Sequence, residues 1–313
     1  MACFFIGVLN TLIVSGIGII LASLIGLVVG IAQLSSNWLV ARIAETYVAL
    51  FRNVPVLLQI LFWDQAVFLR LPRVQDAITL PGPLYLTNRS VHTIGPQPTS
   101  TTLLWLIIIA IGVFVSLIVW YWLHQRQAHT GNPSPRLLIA VVIVGVAGLT
   151  GWLFLTPPPL STSIPTIGRF NFEGGLELPR AYISLLLGLS LYTAAFIAEN
   201  VRAGIQGVPK GQYEAARALG LRPSQRMRLV ILPLALRIII PPTTNQYLNL
   251  IKNSSLATAV GYPDLYQMSR TIVNNGGQLI PMIGLVMGSY LIISLTTSFL
   301  MNRYNRKISL QTK

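Results

Sequence analysis

The sequence of residues 209–233 is PKGQYEAARALGLRPSQRMRLVILP. Pro209 favours the start of a helix, because its fixed φ angle suits the first turn and its missing N–H is not needed there. Gly220 can adopt the left-handed conformation that ends a helix, and Pro223 cannot prolong one. The stretch therefore predicts a short helix over 212–219 with a defined beginning and end. Its alanines at positions 215, 216 and 218 would give it a narrow flank that can sit in a groove.

The chain on either side of this basic stretch has the composition of a membrane protein. Apolar residues make up 53% of the sequence and charged residues only 10%, whereas soluble domains have about 25% charged residues. Apolar runs that are long enough to cross a bilayer predict seven spans, at 4–34, 46–69, 103–123, 137–155, 181–201, 234–256 and 279–301. We therefore predict an all-α polytopic bundle of about seven transmembrane helices, forming a single domain over 1–313.

The distribution of Lys and Arg indicates the orientation of the spans. With the loop at 202–233 and the C-terminus in the cytoplasm, 15 of the 22 Lys and Arg residues lie inside, as the positive-inside rule requires. The same rule accounts for the net charge of +14 without a nucleic-acid partner. The Pro- and Gly-rich stretches at 70–102 and 156–180 then become extracytoplasmic loops with room for short hairpins.

Seven spans with a cytoplasmic C-terminus place the N-terminus outside, directly before the first span. Two explanations are open: the chain has a short outside tail, or a preceding span is absent from this sequence. We favour the second explanation.

Small residues repeat every four positions along the first span, at Gly18, Ala22, Gly26 and Gly30. Such a ridge lets the backbone of another helix approach closely, which is how membrane helices gain packing contacts. We favour packing within the chain, and a subunit interface is the alternative. Gly284 and Gly288 repeat the spacing in the last span.

Polar side chains follow one face of the sixth predicted span. Asn245, Asn249 and Lys252 recur at helical spacing and share a face, and three further polar residues lie alongside: Gln246, Asn253 and Ser254. A central Lys that faced lipid alone would cost about 2.5–3.5 kcal/mol. We therefore expect the stripe to face a water-filled translocation pathway, and a polar interface between two helices is the alternative.

Other features of the spans bear on the same pathway. Pro241 and Pro242 predict a break in the helix just ahead of the polar stripe, and broken helices near the membrane centre often hold solutes in carriers. Asn53 and Gln59 in the second span are weaker pathway candidates, because they do not share a helix face.

The sequence contains no G-x-x-x-x-G-K-[ST] stretch, which P-loop ATPases use to bind phosphate. ATP-driven transport would therefore need a nucleotide-binding partner. An ion-coupled secondary carrier or a channel is the alternative. It predicts acidic residues inside the spans, whereas the acids nearest to the spans, Glu199, Glu45 and Asp64, lie near span ends. No cluster of residues predicts a catalytic or metal site, so an enzyme is the least favoured hypothesis.

Several motifs resemble one family of transport proteins. Glu-Ala-Ala at 214–216, the glycine four residues later and Ile-Leu-Pro at 231–233 resemble the EAA loop of membrane subunits of ATP-binding-cassette importers. Four further motifs resemble the polar amino-acid (histidine/glutamine-type) permeases of these importers: LNTL at 9–12, FRNVP at 51–55, AENVRAG at 198–204 and KNSSL at 252–256. The long insert with FNFEGG at 170–175 resembles the general L-amino-acid permease branch.

This resemblance implies the type I importer permease fold with a cytoplasmic coupling helix, on which the ATPase docks. The matching residues here are Gln212, Tyr213, Glu214, Ala215, Ala216, Arg217, Ala218, Leu219 and Gly220. It also implies a multi-pass protein of the inner (plasma) membrane, surrounded by lipid. Members of the branch usually have another N-terminal span before LNTL, so that span is expected to be missing here.

The resemblance further implies the partners of the chain. Two cytoplasmic ATPase subunits would bind ATP and Mg, so the chain itself would hold no cofactor. A second permease, expected to be a different chain, would complete the pathway. A periplasmic or surface binding protein would deliver L-amino acids, polar and of broad range.

Overall fold

The computed structural model describes residues 2–130, 135–168 and 171–310. Its helices are α1 (Ala2–Ala32), α2 (Trp38–Asn53), α3 (Val56–Leu61), α4 (Thr102–Thr130), α5 (Arg136–Phe154), α6 (Arg180–Gln206), α7 (Lys210–Ala218), α8 (Pro223–Arg226), α9 (Leu232–Asn253), α10 (Leu265–Asn274) and α11 (Leu279–Leu310). Two π-helical turns, Phe62–Val67 and Met227–Ile231, prolong α3 and join α8 to α9. Short 3-10 turns cover Phe68–Arg70, Val74–Asp76 and Ser254–Val260.

Within the described residues, six helical segments are long and apolar enough to cross a membrane: Cys3–Ala32, Thr102–Gln127, Arg136–Phe154, Arg180–Gln206, Pro223–Val260 and Leu279–Arg303. They correspond to six of the seven predicted spans. The seventh, predicted as one helix over 46–69, is instead a bent pair in which α2 and the segment Val56–Arg70 meet at 105°. The bend follows from Pro55, which has no N–H to donate and holds Val54 in an extended conformation (φ −102°, ψ 130°).

The chain forms two compact units. The first consists of residues up to Leu71 and those from Pro179 onward, and it contains all helices except α4 and α5. Its core lies where α1 and α9 pack against α6, around the fully buried Leu185, Leu189 and Leu250.

The ridge of small residues on α1 packs within this unit. A methyl group added at Gly26 would lie 2.7 Å from Cβ of Ile197, and one at Gly30 would lie 2.7 Å from the carbonyl oxygen of Ala198. Both contacts are with α6, so packing within the chain is the correct interpretation of the ridge. Gly284 and Gly288 differ, because a methyl group added at either position would meet no other described residue within 4 Å apart from the adjoining backbone of its own helix.

The second unit, Pro72–Leu178, combines a helical pair with short strands. In the pair, the indole N–H of Trp105 on α4 donates to the carbonyl of Gly148 on α5 over 3.0 Å. The strands are β1 (Ile78–Leu80), β2 (Leu84–Leu86), β3 (Ser90–Thr93), β4 (Gly95–Pro98), β5 (Leu160–Ser163), β6 (Thr166–Ile167), β7 (Phe172–Glu173) and β8 (Leu176–Pro179). The sheets have the orders β1-β2-β3-β8, β4-β5 and β6-β7, so the two predicted loops do contain hairpins.

Candidate functional site

The predicted short helix in the basic loop is α7, which runs from Lys210 to Ala218. It begins two residues before the predicted start, directly after Pro209, and ends one residue before the predicted end. Gly220 has φ +73°, and its N–H donates to the carbonyl of Arg217 over 3.0 Å. The N–H of Leu221 donates to the carbonyl of Ala216 over 3.2 Å. These two bonds form a Schellman cap, so the predicted glycine stop is confirmed.

Helix α7 has one face packed on the chain and one face open. Ala216 is 2% exposed, and the hydroxyl of Tyr213, three residues earlier, donates to the carbonyl of Ile205 at the end of α6 over 3.2 Å. Gly211, Ala215 and Ala218 recur at helical spacing on the other side and are exposed. The open face therefore consists of the smallest side chains, which permit close approach of another protein.

The remaining residues predicted for the coupling helix also lie at the surface. They are Gln212, Glu214, Arg217, Leu219 and Gly220. Leu219 is 78% exposed, and contact with water is unfavourable for a large apolar side chain. Leu219 therefore adds one exposed apolar side chain beside the face of small residues.

The base of α7 is fixed to two spanning helices. Val208, just before α7, and Ile231, just before α9, are both buried in the core of the first unit. Pro223 starts α8, and the N–H of Arg222 before it is bound by the side chain of Gln225 over 3.0 Å. Because both ends of the loop are anchored in the core, a displacement of α7 would be transmitted directly to the ends of α6 and α9.

The two candidates near the elbow between α2 and α3 differ in their surroundings. Gln59 is 6% exposed, and its Nε2 donates to the carbonyls of Phe51 and Val54 over 2.9 Å each. These carbonyls lie at the end of α2, where no following turn can supply donors. Asn53 is exposed. Gln59 thus holds the elbow together, and the assignment of both residues to the pathway stays a prediction.

The predicted polar stripe on α9 is exposed along one edge in the part of the chain that the structure describes. Asn245, Asn249 and Lys252 are exposed, while Gln246 and Asn253 are half-buried. Ser254 is set apart from them, because it is fully buried and donates to the carbonyl of Ile251 over 2.7 Å. The structure therefore brings five of the six predicted residues to an open or partly open position. An exposed polar stripe on a spanning helix needs water or a second protein in front of it.

The predicted break at Pro241 and Pro242 is wrong, because α9 continues through both residues. Each proline removes one backbone donor, yet the neighbouring turns remain helical. The buried side chains Ile239 and Thr243 hold this face against the core, and the hydroxyl of Thr244 donates to the carbonyl of Ile240 over 2.9 Å. Prolines are tolerated in spanning helices where packing and hydroxyl side chains compensate in this way.

Sequence reasoning missed two ion pairs between distant segments. Asp64, 5% exposed, accepts from Nε of Arg180 over 2.9 Å. Glu199 pairs with Arg202 on the same helix, as its spacing suggests, but also lies 3.9 Å from Nη1 of Arg52 on α2. One signal in the sequence indicated that Arg52 and Glu199 matter: they belong to the FRNVP and AENVRAG motifs. Nothing in the sequence indicated that they lie close together.

Comparisons with known proteins agree with this geometry. Residues 15–310 match the family described as "Binding-protein-dependent transport system inner membrane component". The General L-amino acid transport system permease protein AapQ of Rhizobium johnstonii is 46% identical, over 97% of this chain and 76% of the relative. The Glutamate/glutamine/aspartate/asparagine transport system permease protein BztB of Rhodobacter capsulatus is 40% identical, over 90% of this chain and 73% of the relative.

Two solved structures have the same fold. A chain of an amino acid ABC transporter with histidines superposes with a TM-score of 0.58 at 19% identity, covering 98% of this chain and 94% of that chain. A chain of the MetNI methionine ABC transporter superposes with a TM-score of 0.52 at 19% identity, covering 98% and 97%. The predicted importer permease fold is therefore confirmed.

Proposed function

This chain belongs to the family of binding-protein-dependent transport system inner membrane components, and we propose that it is the permease subunit of an ATP-binding-cassette importer for L-amino acids. The observation that carries this proposal is α7, a short helix with a fixed base and an open face of Gly211, Ala215 and Ala218. The names of the relatives AapQ and BztB support amino acids, polar and of broad range, as the substrate class.

The energy comes from a partner. The sequence has no phosphate-binding P-loop, so an ATPase dimer binds ATP and Mg in the cytoplasm and docks on α7. Movement of the ATPase subunits displaces α7. Because the residues that flank α7 are anchored in the core, this displacement also moves α6 and α9. The chain thus changes conformation without catalysing a reaction itself.

The substrate passes along the polar stripe of α9. Asn245, Asn249 and Lys252 face a water-filled cavity, and a second permease, a different chain, provides the opposite wall. Asn53 lies at the surface near the elbow and is a further polar group that we assign to the pathway. A periplasmic or surface binding protein releases the amino acid into this cavity from outside.

The orientation follows from the charges. Helix α7 lies in the segment with the largest number of Lys and Arg residues, seven between Arg202 and Arg237, which favours the cytoplasmic side of the inner membrane. The C-terminus lies on the same side. The strand-bearing segments of the second unit then lie outside, on the side of the binding protein.

The test is uptake of L-amino acids by vesicles that contain this chain, its partner permease, the ATPase and the binding protein. We expect uptake to require ATP, and we expect deletion of residues 214–216 to abolish it while the protein still inserts. Ala218→Arg places a large charged side chain on the open face of α7 and should also stop uptake. Gln212→Arg adds the same group beside that face and should leave more activity. Unimpaired uptake by the deletion variant would refute the proposal, and ATP-independent uptake by this chain alone would favour an ion-coupled carrier.

A further inference from the structure

A groove of about 280 Å³ lies between α10 and α11. The two helices form a hairpin, because only the short turn 275–278 joins them. The walls of the groove extend from Tyr266 to Asn274 on α10 and from Leu279 to Met287 on α11. The groove therefore follows both helices along their length, from the turn to the opposite end of α10.

The part of the groove nearest the turn is polar and positively charged. Arg270 and Asn274 lie four residues apart on α10 and so share a face. Both are exposed, and both line the groove. In the orientation proposed above, α11 begins on the outer side of the membrane, so this charged part lies towards the outer surface.

The guanidinium of Arg270 has unused hydrogen-bonding capacity. Within the described residues its side chain makes one hydrogen bond, from Nη1 to the hydroxyl oxygen of Thr258 over 3.4 Å. That hydroxyl donates its own proton to Oε1 of Gln267 over 2.7 Å. No carboxylate in the described part of the chain forms an ion pair with Arg270. The positive charge is therefore uncompensated, and most of its N–H groups can bind an anion.

Further from the turn, the groove is apolar. Ile283, Val286 and Met287 of α11 line it opposite Tyr266 of α10. Val286 is buried, whereas Ile283 and Met287 are exposed, so the groove is open along its side to the surrounding bilayer. Met282 also lines it, and flexible methionine side chains adapt to a ligand of irregular shape.

The dimensions of the groove favour a flexible chain over another helix. A ten-residue helix, about 10 Å wide and 15 Å long, occupies about 1,200 Å³, which is several times the volume of the groove. Another helix could insert only single side chains, whereas an acyl chain can follow the whole groove. Lipid tails are as apolar as leucine, so the uncompensated Arg270 is what identifies the ligand. Basic pockets between spanning helices bind anionic lipid headgroups.

We propose that this groove binds an anionic phospholipid of the outer leaflet. Its phosphate lies at Arg270, whose planar guanidinium can donate two parallel hydrogen bonds to phosphate oxygens. The amide of Asn274 supplies a further donor, and one acyl chain lies along Ile283 and Met287. A headgroup with a net negative charge is preferred, because it compensates Arg270 without adding a cation. The proposal goes beyond the transport function and shares with it only the orientation of α11.

The experiment uses the assembled permease–ATPase complex in nanodiscs made mainly of phosphatidylcholine. A small fraction of phosphatidylglycerol has a photoreactive diazirine in one acyl chain, and mass spectrometry of peptides locates the attached lipid after illumination. We expect label on α10 and α11 along the groove. The same diazirine chain on phosphatidylcholine should label these peptides roughly fivefold less, because its ammonium opposes the charge of Arg270. Equal labelling by the two lipids would indicate ordinary bilayer contact and overturn the proposal.

A free phosphate ester is the other source of the same anionic group. Glycerol 3-phosphate has the phosphate of the lipid but no acyl chain, so an excess of it should leave the labelling unchanged. Unlabelled phosphatidylglycerol should remove the label. Competition by glycerol 3-phosphate at the concentration at which phosphatidylglycerol competes would assign the site to a soluble ligand and overturn the proposal.

Variants locate the site, each compared at equal amounts of assembled complex. Arg270→Gln should lower labelling by phosphatidylglycerol roughly fivefold, to the level of phosphatidylcholine. Arg89→Gln removes the same charge from an exposed residue of the second unit and should label normally. Ile283→Trp fills the groove and should lower labelling by both lipids. Ile280→Trp, on α11 but outside the groove, should not. Normal labelling in either Arg270→Gln or Ile283→Trp would overturn the proposal.

The second permease is the other possible occupant, and a cross-link tests it. Met287→Cys, combined with Cys3→Ala, places a photo-crosslinker in the groove, which should attach to lipid. Capture of the second permease without any lipid label would overturn the proposal. ATP-driven uptake by vesicles that contain the same complex tests the transport function separately. Uptake without selective lipid labelling refutes only the lipid site, whereas selective labelling without uptake refutes only the importer.

Discussion

Replacing Gln59 with leucine is expected to destabilise the elbow between α2 and α3 by about 2–4 kcal/mol. The substitution removes two hydrogen bonds of 2.9 Å, to the carbonyls of Phe51 and Val54. Each bond contributes about 1 kcal/mol net, and each part-buried carbonyl that is left without a donor adds a similar or larger penalty. Leucine has nearly the same size and meets apolar neighbours such as Leu58, so steric strain adds little.

The assay is equilibrium unfolding of the purified protein in mixed micelles with increasing SDS. Gln65→Leu is the matched control, because Gln65 lies six residues further along the same bent segment and is exposed. The control should unfold like the unchanged protein. Equal unfolding free energies for the two variants would refute the structural role of Gln59. Unchanged stability together with a changed KM for uptake would instead assign Gln59 to the translocation pathway.

Three further substitutions test the packing of the first unit by the same unfolding assay. Asp64→Asn leaves Arg180 without a counter-charge and should cost about 2 kcal/mol, and adding Arg180→Gln should recover part of this loss. Gly26→Val should cost about 1–3 kcal/mol because its side chain meets α6, whereas Gly16→Val meets open space and should cost clearly less. Burial raises the pKa of Asp264, in the loop before α10, to about 6, so its contribution to stability is greatest below about pH 4 and is lost as the pH rises through 6. Asp264→Asn should flatten this pH dependence, and an unchanged profile would refute the assignment.

Local signals made part of the site predictable. Pro209 and Gly220 act through their own backbone geometry, so the limits of α7 follow from the sequence to within two residues. The ridge of small residues at Gly26 and Gly30 could also be predicted from the sequence, because helical spacing alone places these residues on one face. The partner of that ridge, α6, lies far away in the sequence and was found only in the structure.

Features that depend on tertiary contacts were not predictable in this way. The ion pair between Arg52 and Glu199 joins residues from two distant motifs, and no periodicity connects them. The role of Gln59 depends on the angle of the elbow, which Pro55 permits but does not specify. At Pro241, local preference predicted a break, and the packing of the buried face of α9 prevented it.

The docking of an ATPase on α7 is the central claim, and cross-linking tests it most directly. Cys3, a free and exposed cysteine, is first replaced by Cys3→Ala, and Ala218→Cys then introduces a thiol on the open face of α7. In the assembled transporter we expect a thiol-attached photo-crosslinker at this position to capture the ATPase subunit. Ala216→Cys, at a position that is 2% exposed, should capture little. Labelling of position 218 by a membrane-impermeant maleimide added outside intact cells, with no ATPase captured, would contradict the account.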